Sequence, residues 1–164
     1  MIPYQRFIMV SDLFDTLLAE VGQKLKINDL HADRNHSCLI NFKEGISIQI
    51  ERETRGERMI FGTTIGSIPP SKYRENVFRE ALRANGLQEP RIGAFAYSKQ
   101  SDQLILYGTL PMQDLTSEKI VAFLIPFKEK AVQWKTAIER GDIPSLVGTQ
   151  ASPGSGGGMF GLRP

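Results

Sequence analysis

An alternating apolar run near residue 46 constrains the fold of this chain more than any other feature. Three isoleucines alternate there with three polar residues, in the order Ile46, Ser47, Ile48, Gln49, Ile50 and Glu51. Because successive side chains of a strand point to opposite faces, the run predicts a strand with one apolar face and one polar face. An apolar sheet face has to be covered, either by the protein's own helices or by another molecule.

The rest of the chain supplies the other strands and helices of a layered fold. Five strand-like runs are predicted, at 37–42, 46–51, 59–65, 92–98 and 103–110. Three helices are predicted from apolar residues at helical spacing, beginning near Ser11, Pro70 and Thr116. The order α-β-β-β-α-β-β-α indicates an α+β fold with a twisted antiparallel sheet. A single domain is expected over residues 1–144, followed by a flexible tail rich in Gly, Ser and Pro over 145–164.

Several helix boundaries are marked by residues with special backbone preferences. Asn85 and Gly86 predict a left-handed stop for the second helix, and Gly141 predicts the end of the third. Pro126 lies inside the third helical pattern, where it removes one backbone hydrogen bond. We therefore expect a kink or a late start of the third helix at that point.

Composition excludes several classes of function. The chain has 20 Lys and Arg against 18 Asp and Glu, so no basic surface for nucleic acid is indicated. No run of about 18 apolar residues exists that could span a membrane, so membrane insertion is not expected. The start of the chain has neither the apolar stretch nor the cleavage site of a signal peptide. With a single cysteine as well, a cytoplasmic protein is expected.

Enzymatic chemistry has one weak candidate site in this sequence. The stretch from 31 to 38 contains His31, Asp33, His36 and Cys38, which are residue types that bind zinc. Their spacing matches no common zinc template, and no catalytic base is positioned with them. A polar loop before a strand is the alternative interpretation. The sequence therefore predicts no catalytic residues, no metal and no cofactor.

One segment of the sequence resembles a known family. The hairpin ends in Leu106-Tyr107-Gly108-Thr109-Leu110-Pro111, and a long final helix with Phe127 and Trp134 follows. Together with the element order, this resembles the Tir chaperone (CesT-like) family of class I type III secretion chaperones. The resemblance covers roughly residues 11–141. It implies a homodimeric, non-enzymatic chaperone that binds an extended N-terminal segment of one or more effectors in the bacterial cytoplasm and keeps them soluble and secretion-competent.

The resemblance also implies regions for each contact. Effector binding is expected on the first helix and early strands, at Leu13, Phe14, Leu17, Leu18, Leu39, Ile46, Ile48 and Ile50. The dimer interface is expected on the second helix and late hairpin, at Tyr73, Val77, Phe78, Phe95, Tyr97 and Leu106. The expected partners are secreted effectors, a second copy of the chain and, as a further candidate, the secretion ATPase.

Two alternatives remain open at the level of sequence. The same apolar residues on the first helix and the second strand fit ordinary core packing, because a self-covered face and a binding face have the same pattern. Trp134 likewise fits either an interface or the core. The functional alternative is a dimeric α+β scaffold or regulatory module that binds folded partners.

Overall fold

A computed structural model describes residues 10–87 and 92–145, with side chains described from Leu13 onward. The three helices are α1 (Val10–Leu25), α2 (Lys72–Asn85) and α3 (Ser117–Arg140). The five strands are β1 (Ser37–Asn41), β2 (Ser47–Arg52), β3 (Arg58–Gly66), β4 (Ala94–Ser98) and β5 (Gln103–Pro111). The predicted order of elements and the α+β class are confirmed.

The strands form one five-stranded antiparallel sheet in the order β1-β2-β3-β5-β4. The first three strands make a meander because short turns join them. β5 then pairs with β3, and β4 lies outside β5 as the second edge strand. β1 and β4 are therefore the two edges of the sheet.

One face of this sheet carries the hydrophobic core. Inward-pointing residues of the strands, including Ile48, Phe61 and Leu106, have no exposed surface. Buried residues of all three helices belong to the same core, and Trp134 of α3 packs on Phe95 of β4 with ring centroids 4.0 Å apart. Burial of this much aliphatic and aromatic surface is the main stabilising contribution to the fold.

The ends of α2 and α3 follow their local chemistry in three of four places. Ser71 caps α2 by accepting the Arg74 N–H at 3.1 Å, and Thr116 caps α3 in the same way. Gly141 ends α3 in the left-handed conformation, with φ of 75°. The predicted left-handed stop at Asn85 and Gly86 is wrong, because Gly86 has φ of −83°.

Helix α3 begins at Ser117 and continues past Pro126, so the expected late start is wrong. A proline within a helix leaves the carbonyl four residues earlier without its N–H partner. That residue is Ala122, which lies on the exposed side of the helix. Packing of Phe127 and Trp134 into the core outweighs the local cost.

The expected flexible tail at 145–164 lies outside the described residues, apart from Ser145. None of the helices in the described ranges is long and apolar enough to cross a membrane.

Candidate protein-binding surfaces

The face of the sheet opposite the helices is uncovered and partly apolar. Leu39 is 57% exposed and Tyr107 is 44% exposed, and Ile60 of β3 and Ile105 of β5 lie half-buried on the same face. A shallow depression of about 780 Å³ is lined by this face and by Lys135, Ile138 and Glu139 near the end of α3. The open face therefore offers apolar side chains on a polar background.

The outer edge of β1 has backbone groups available for pairing. Flanking β1, the Phe42 N–H donates to the Ile46 carbonyl at 2.8 Å and the Arg52 N–H to the His36 carbonyl at 3.1 Å. Hydrogen-bonded positions alternate along an antiparallel pair, so Leu39 and Asn41 point their N–H and C=O groups away from β2. Within residues 10–87 and 92–145, no hydrogen bond reaches these four groups.

The start of β1 is closed by the preceding loop. The carbonyl of Ser37 accepts the Asp33 N–H at 2.8 Å, and the Ser37 N–H donates to Asp33 Oδ1 at 3.0 Å. Asp33 therefore occupies both outward groups of Ser37. The open part of the edge is short and is centred on Leu39 and Asn41.

The β1–β2 hairpin is attached to α3 by two lysines. Lys128 Nζ lies 2.7 Å from a Glu44 carboxylate oxygen and also contacts the ring of Phe42. Lys135 Nζ donates to the Gly45 carbonyl at 2.7 Å. The hydrogen bond from Lys128 holds the pKa of the Glu44 carboxyl below its usual value. The strand with the open edge is thus fixed to the longest helix.

A second apolar surface lies between α2 and the β4 edge. Leu82 is 71% exposed and Tyr97 is 40% exposed, and Phe78 lies half-buried against Tyr97 with ring centroids 5.4 Å apart. A small apolar cavity of about 130 Å³ opens between these side chains. The Arg74 guanidinium stacks over both rings and pairs with Asp102 at 3.4 Å. This arrangement fixes the orientation of both rings at the surface.

The structure separates the eight residues expected to bind effectors into two groups. Six of them are buried in the core, namely Phe14, Leu17, Leu18, Ile46, Ile48 and Ile50. Only Leu13, at 41% exposed, and Leu39 have substantial accessible surface. For the six, core packing is therefore the correct alternative, since a side chain enclosed by its own helices and sheet cannot contact a partner directly.

The six residues expected at a dimer interface divide in a similar way. Val77, Phe95 and Leu106 are buried, whereas Tyr73 and Phe78 are half-buried and Tyr97 is exposed. The buried three cannot contact a second copy directly. The Tyr73 hydroxyl donates to the Asp142 carbonyl at 2.8 Å, which ties α2 to the end of α3.

Two candidate contact residues were missed by reasoning from the sequence. Leu82 stands four residues after Phe78, on the margin of a helix whose buried stripe is Val77, Ala81 and Ala84. Leu82 comes directly after the buried Ala81, so it lies beside the buried stripe, and this position indicated an apolar side chain exposed at the margin of the helix. Asn41 carried no signal, because the direction of a main-chain N–H depends on strand pairing.

The cluster between 31 and 38 is dispersed by the fold. Cys38 is buried in the core, and burial raises the pKa of its thiol. Asp33 binds backbone N–H groups, and His31 Nδ1 lies 2.9 Å from the Asp29 carbonyl. In the part of the chain that the structure describes, no three potential metal ligands come together.

Several solved structures have the same fold. A chain in the HopA1–SchA chaperone–effector complex is 15% identical, with a TM-score of 0.66 over 79% of this chain and 98% of its own. A chain in the ExsC–ExsE complex is 17% identical, with a TM-score of 0.62 over 84% and 98%. A chain in the complex of the Yersinia pestis type III secretion chaperone SycH with a YscM2 fragment is 16% identical, with a TM-score of 0.56 over 73% and 97%.

Comparison at the level of sequence identifies the family. A search of curated proteins returns no match. The model of the Tir chaperone protein (CesT) family matches residues 16–135, which is well over half of the chain and includes all of β1 to β5. The chain therefore belongs to the Tir chaperone protein (CesT) family.

Proposed function

We propose that this protein is a type III secretion chaperone that binds an extended N-terminal segment of one or more effectors in the bacterial cytoplasm. The bound effector stays soluble and secretion-competent. The observation that carries this proposal is the open β1 edge beside the exposed Leu39 side chain. Membership of a chaperone family and a fold shared with chaperone–effector complexes support it.

An extended segment suits the β1 edge because it brings its own row of unpaired N–H and C=O groups. Pairing with Leu39 and Asn41 satisfies those groups as an added strand. The added strand continues the sheet, so its alternate side chains lie next to Leu39 on the open face. Main-chain bonds give affinity with little dependence on sequence, which fits a chaperone that serves more than one effector.

The open face extends the contact beyond one strand. Leu39, Ile60, Ile105 and Tyr107 provide apolar contacts for side chains that an unfolded effector leaves exposed. Leu13 on α1 provides a separate exposed contact. Holding the effector by these surfaces needs no covalent chemistry, so we propose that the protein acts by binding alone.

We also propose that two copies associate through the α2–β4 surface. Phe78, Leu82 and Tyr97 form a contiguous apolar ridge that a second copy of the same ridge buries. Two-fold symmetry places identical residues against one another in such an interface. The buried residues Val77 and Phe95 support the ridge from beneath. Contact with the secretion ATPase is a further proposal that rests on the family alone.

Capture from the native cytosol followed by a binding assay tests the chaperone function. We expect a secreted protein to co-purify in stoichiometric amount, and its isolated N-terminal fragment to bind the purified chaperone. Hydrogen exchange should then show protection of the Leu39 and Asn41 amides in the complex. Binding only to an intact folded partner, with no fragment bound, would instead favour a scaffold or regulatory module.

A further inference from the structure

The β4 edge of the sheet is occupied by a side chain. The Phe95 N–H donates to Asn85 Oδ1 at 2.7 Å, and Asn85 Nδ2 donates to the Phe95 carbonyl at 2.8 Å. A carboxamide has the same donor and acceptor as a peptide group. Asn85 therefore takes the place that one residue of a sixth strand would occupy beside Phe95.

The two edges of the sheet consequently differ in what they offer to an extended chain. A strand approaching β4 meets Asn85 already bonded to both outward groups of Phe95. Tyr97 is the other outward-pointing residue of β4, so in the described residues this edge keeps one open position instead of two consecutive ones. At β1, the outward groups of Leu39 and Asn41 have no such partner within residues 10–87 and 92–145.

The geometry of the helix end supports a dedicated role for Asn85. An Asn-Gly pair at a helix terminus normally supplies a left-handed residue, yet Gly86 is right-handed here. Asn85 is the last residue of α2, and its amide is directed at β4 rather than at the end of its own helix. Half-buried and bonded at both polar atoms, it is held in this position.

We propose that Asn85 is a specificity-determining residue that closes the β4 edge to strand addition by occupying Phe95, which leaves Tyr97 as a single open position too short to hold an added strand. Main-chain pairing with an effector segment or a second copy is thereby confined to β1. The use of β1 by effectors rests on the function proposed above, whereas closure of β4 does not. A second copy at the α2–β4 surface then meets side chains, and the two sheets do not join into one.

Substitution of Asn85 tests the closure without any effector. In Asn85→Ala, hydrogen exchange of the Phe95 amide should accelerate by about tenfold or more, the order expected when a net hydrogen bond is lost. Sedimentation at rising protein concentration should show assemblies larger than those of the wild type. Asn76→Ala, on the same helix and also half-buried, is the matched control and should change neither measurement.

A double variant identifies the edge at which the new assemblies form. Asn41→Pro removes one of the two open outward N–H groups of β1 and weakens pairing there, so assemblies of Asn85→Ala that form at the same protein concentration in the double variant use β4 and support the proposal. Assemblies that disappear use β1 and overturn it. Unchanged sedimentation of a folded Asn85→Ala also overturns it, because Asn85 would then serve only to hold α2 against β4.

A conservative variant keeps the test decisive if Asn85→Ala fails to fold. Asn85→Asp retains the acceptor for the Phe95 N–H and loses the donor to the Phe95 carbonyl. We expect slow Phe95 exchange with partial self-association. If Asn85→Asp sediments as the wild type does, the proposal fails. All of these measurements are made without an effector, so they remain informative even if the chaperone function is disproved.

Discussion

The two faces of the sheet are made of the same strands but differ in what they contact. On the covered face, Ile48, Phe61 and Leu106 have no exposed surface and belong to a core shared with the helices. On the open face, the neighbouring residues along the same strands include Gln49, Gly62 and the exposed Tyr107. Free energy of folding therefore comes mainly from one face, while the other remains available for a partner.

Two glycines in adjacent residue pairs of β3 and β5 show how much the packing differs between the two faces. A Cβ added to Gly108 on the covered face would lie 2.5 Å from Cζ of Phe123. A Cβ added to Gly62 on the open face would have no described atom within 4 Å. The covered face thus accepts glycine alone at a point where a helix approaches the strand, whereas the open face has unoccupied space.

Replacement of an aromatic core residue should give the largest difference in stability between the two faces. Phe61→Ala should lower the free energy of unfolding by about 3–5 kcal/mol, because Phe61 packs against Phe123 and Phe127 and leaves a cavity. Leu39→Ala on the open face is the control and should change it by no more than about 0.5 kcal/mol. Urea denaturation measures both, and equal losses would contradict the division between the faces.

The glycine pair gives a second test of intermediate size. Gly108→Ala should destabilise the protein by about 1–3 kcal/mol, since Phe123 has to move to admit the methyl group. Gly62→Ala should be neutral or slightly stabilising, because alanine loses less backbone entropy than glycine on folding. Thermal unfolding of the two variants is the measurement. A Gly62→Ala variant as unstable as Gly108→Ala would show that the open face is covered in solution.

The role of the β1 edge is tested by a change that spares both faces. Asn41→Pro should weaken binding of an effector fragment by about fivefold or more, through loss of one main-chain donor. Its N–H points away from β2, so the ladder with β2 remains. Asn41→Ala loses only the side-chain bond from Ser47 and should bind normally. Calorimetric titration distinguishes them, and equal affinities would exclude strand addition at Asn41.

The smallest effect concerns the ion pair that joins α1 to α3. Lys24 lies 2.9 Å from Glu118, and its hydrogen bond lowers the pKa of the Glu118 carboxyl from 4.5 to about 2. The resulting stabilisation is present above pH 4.5 and is lost as the pH falls toward about 2. Glu118→Gln should remove this pH dependence while changing stability little at neutral pH, since both side chains are exposed.

Thermal unfolding of the wild type and Glu118→Gln across this pH range measures the effect. The difference between the two proteins should shrink as the pH falls. A difference that stays constant would show that the ion pair does not contribute to the packing of α1 on α3.

Local signals in the sequence predicted the fold well, but they did not separate exposed residues from core residues. Caps such as Ser71 and Thr116 act through neighbouring backbone groups, so sequence alone indicates them. The alternation around Ile48 identifies an apolar face and not what covers it, which is why core residues were expected to bind effectors. The roles of Asn41 and Asn85 depend on strand pairing between distant segments, and no local pattern encodes that pairing.

The two lysine contacts from α3 to the β1–β2 hairpin also have a thermodynamic consequence for binding. Because Lys128 and Lys135 hold this hairpin in place, its strand is already ordered before any partner arrives. The backbone conformational entropy lost on complex formation then falls mainly on the incoming segment. Affinity should therefore rise when the effector segment is already extended in its free state and fall when it is collapsed or folded.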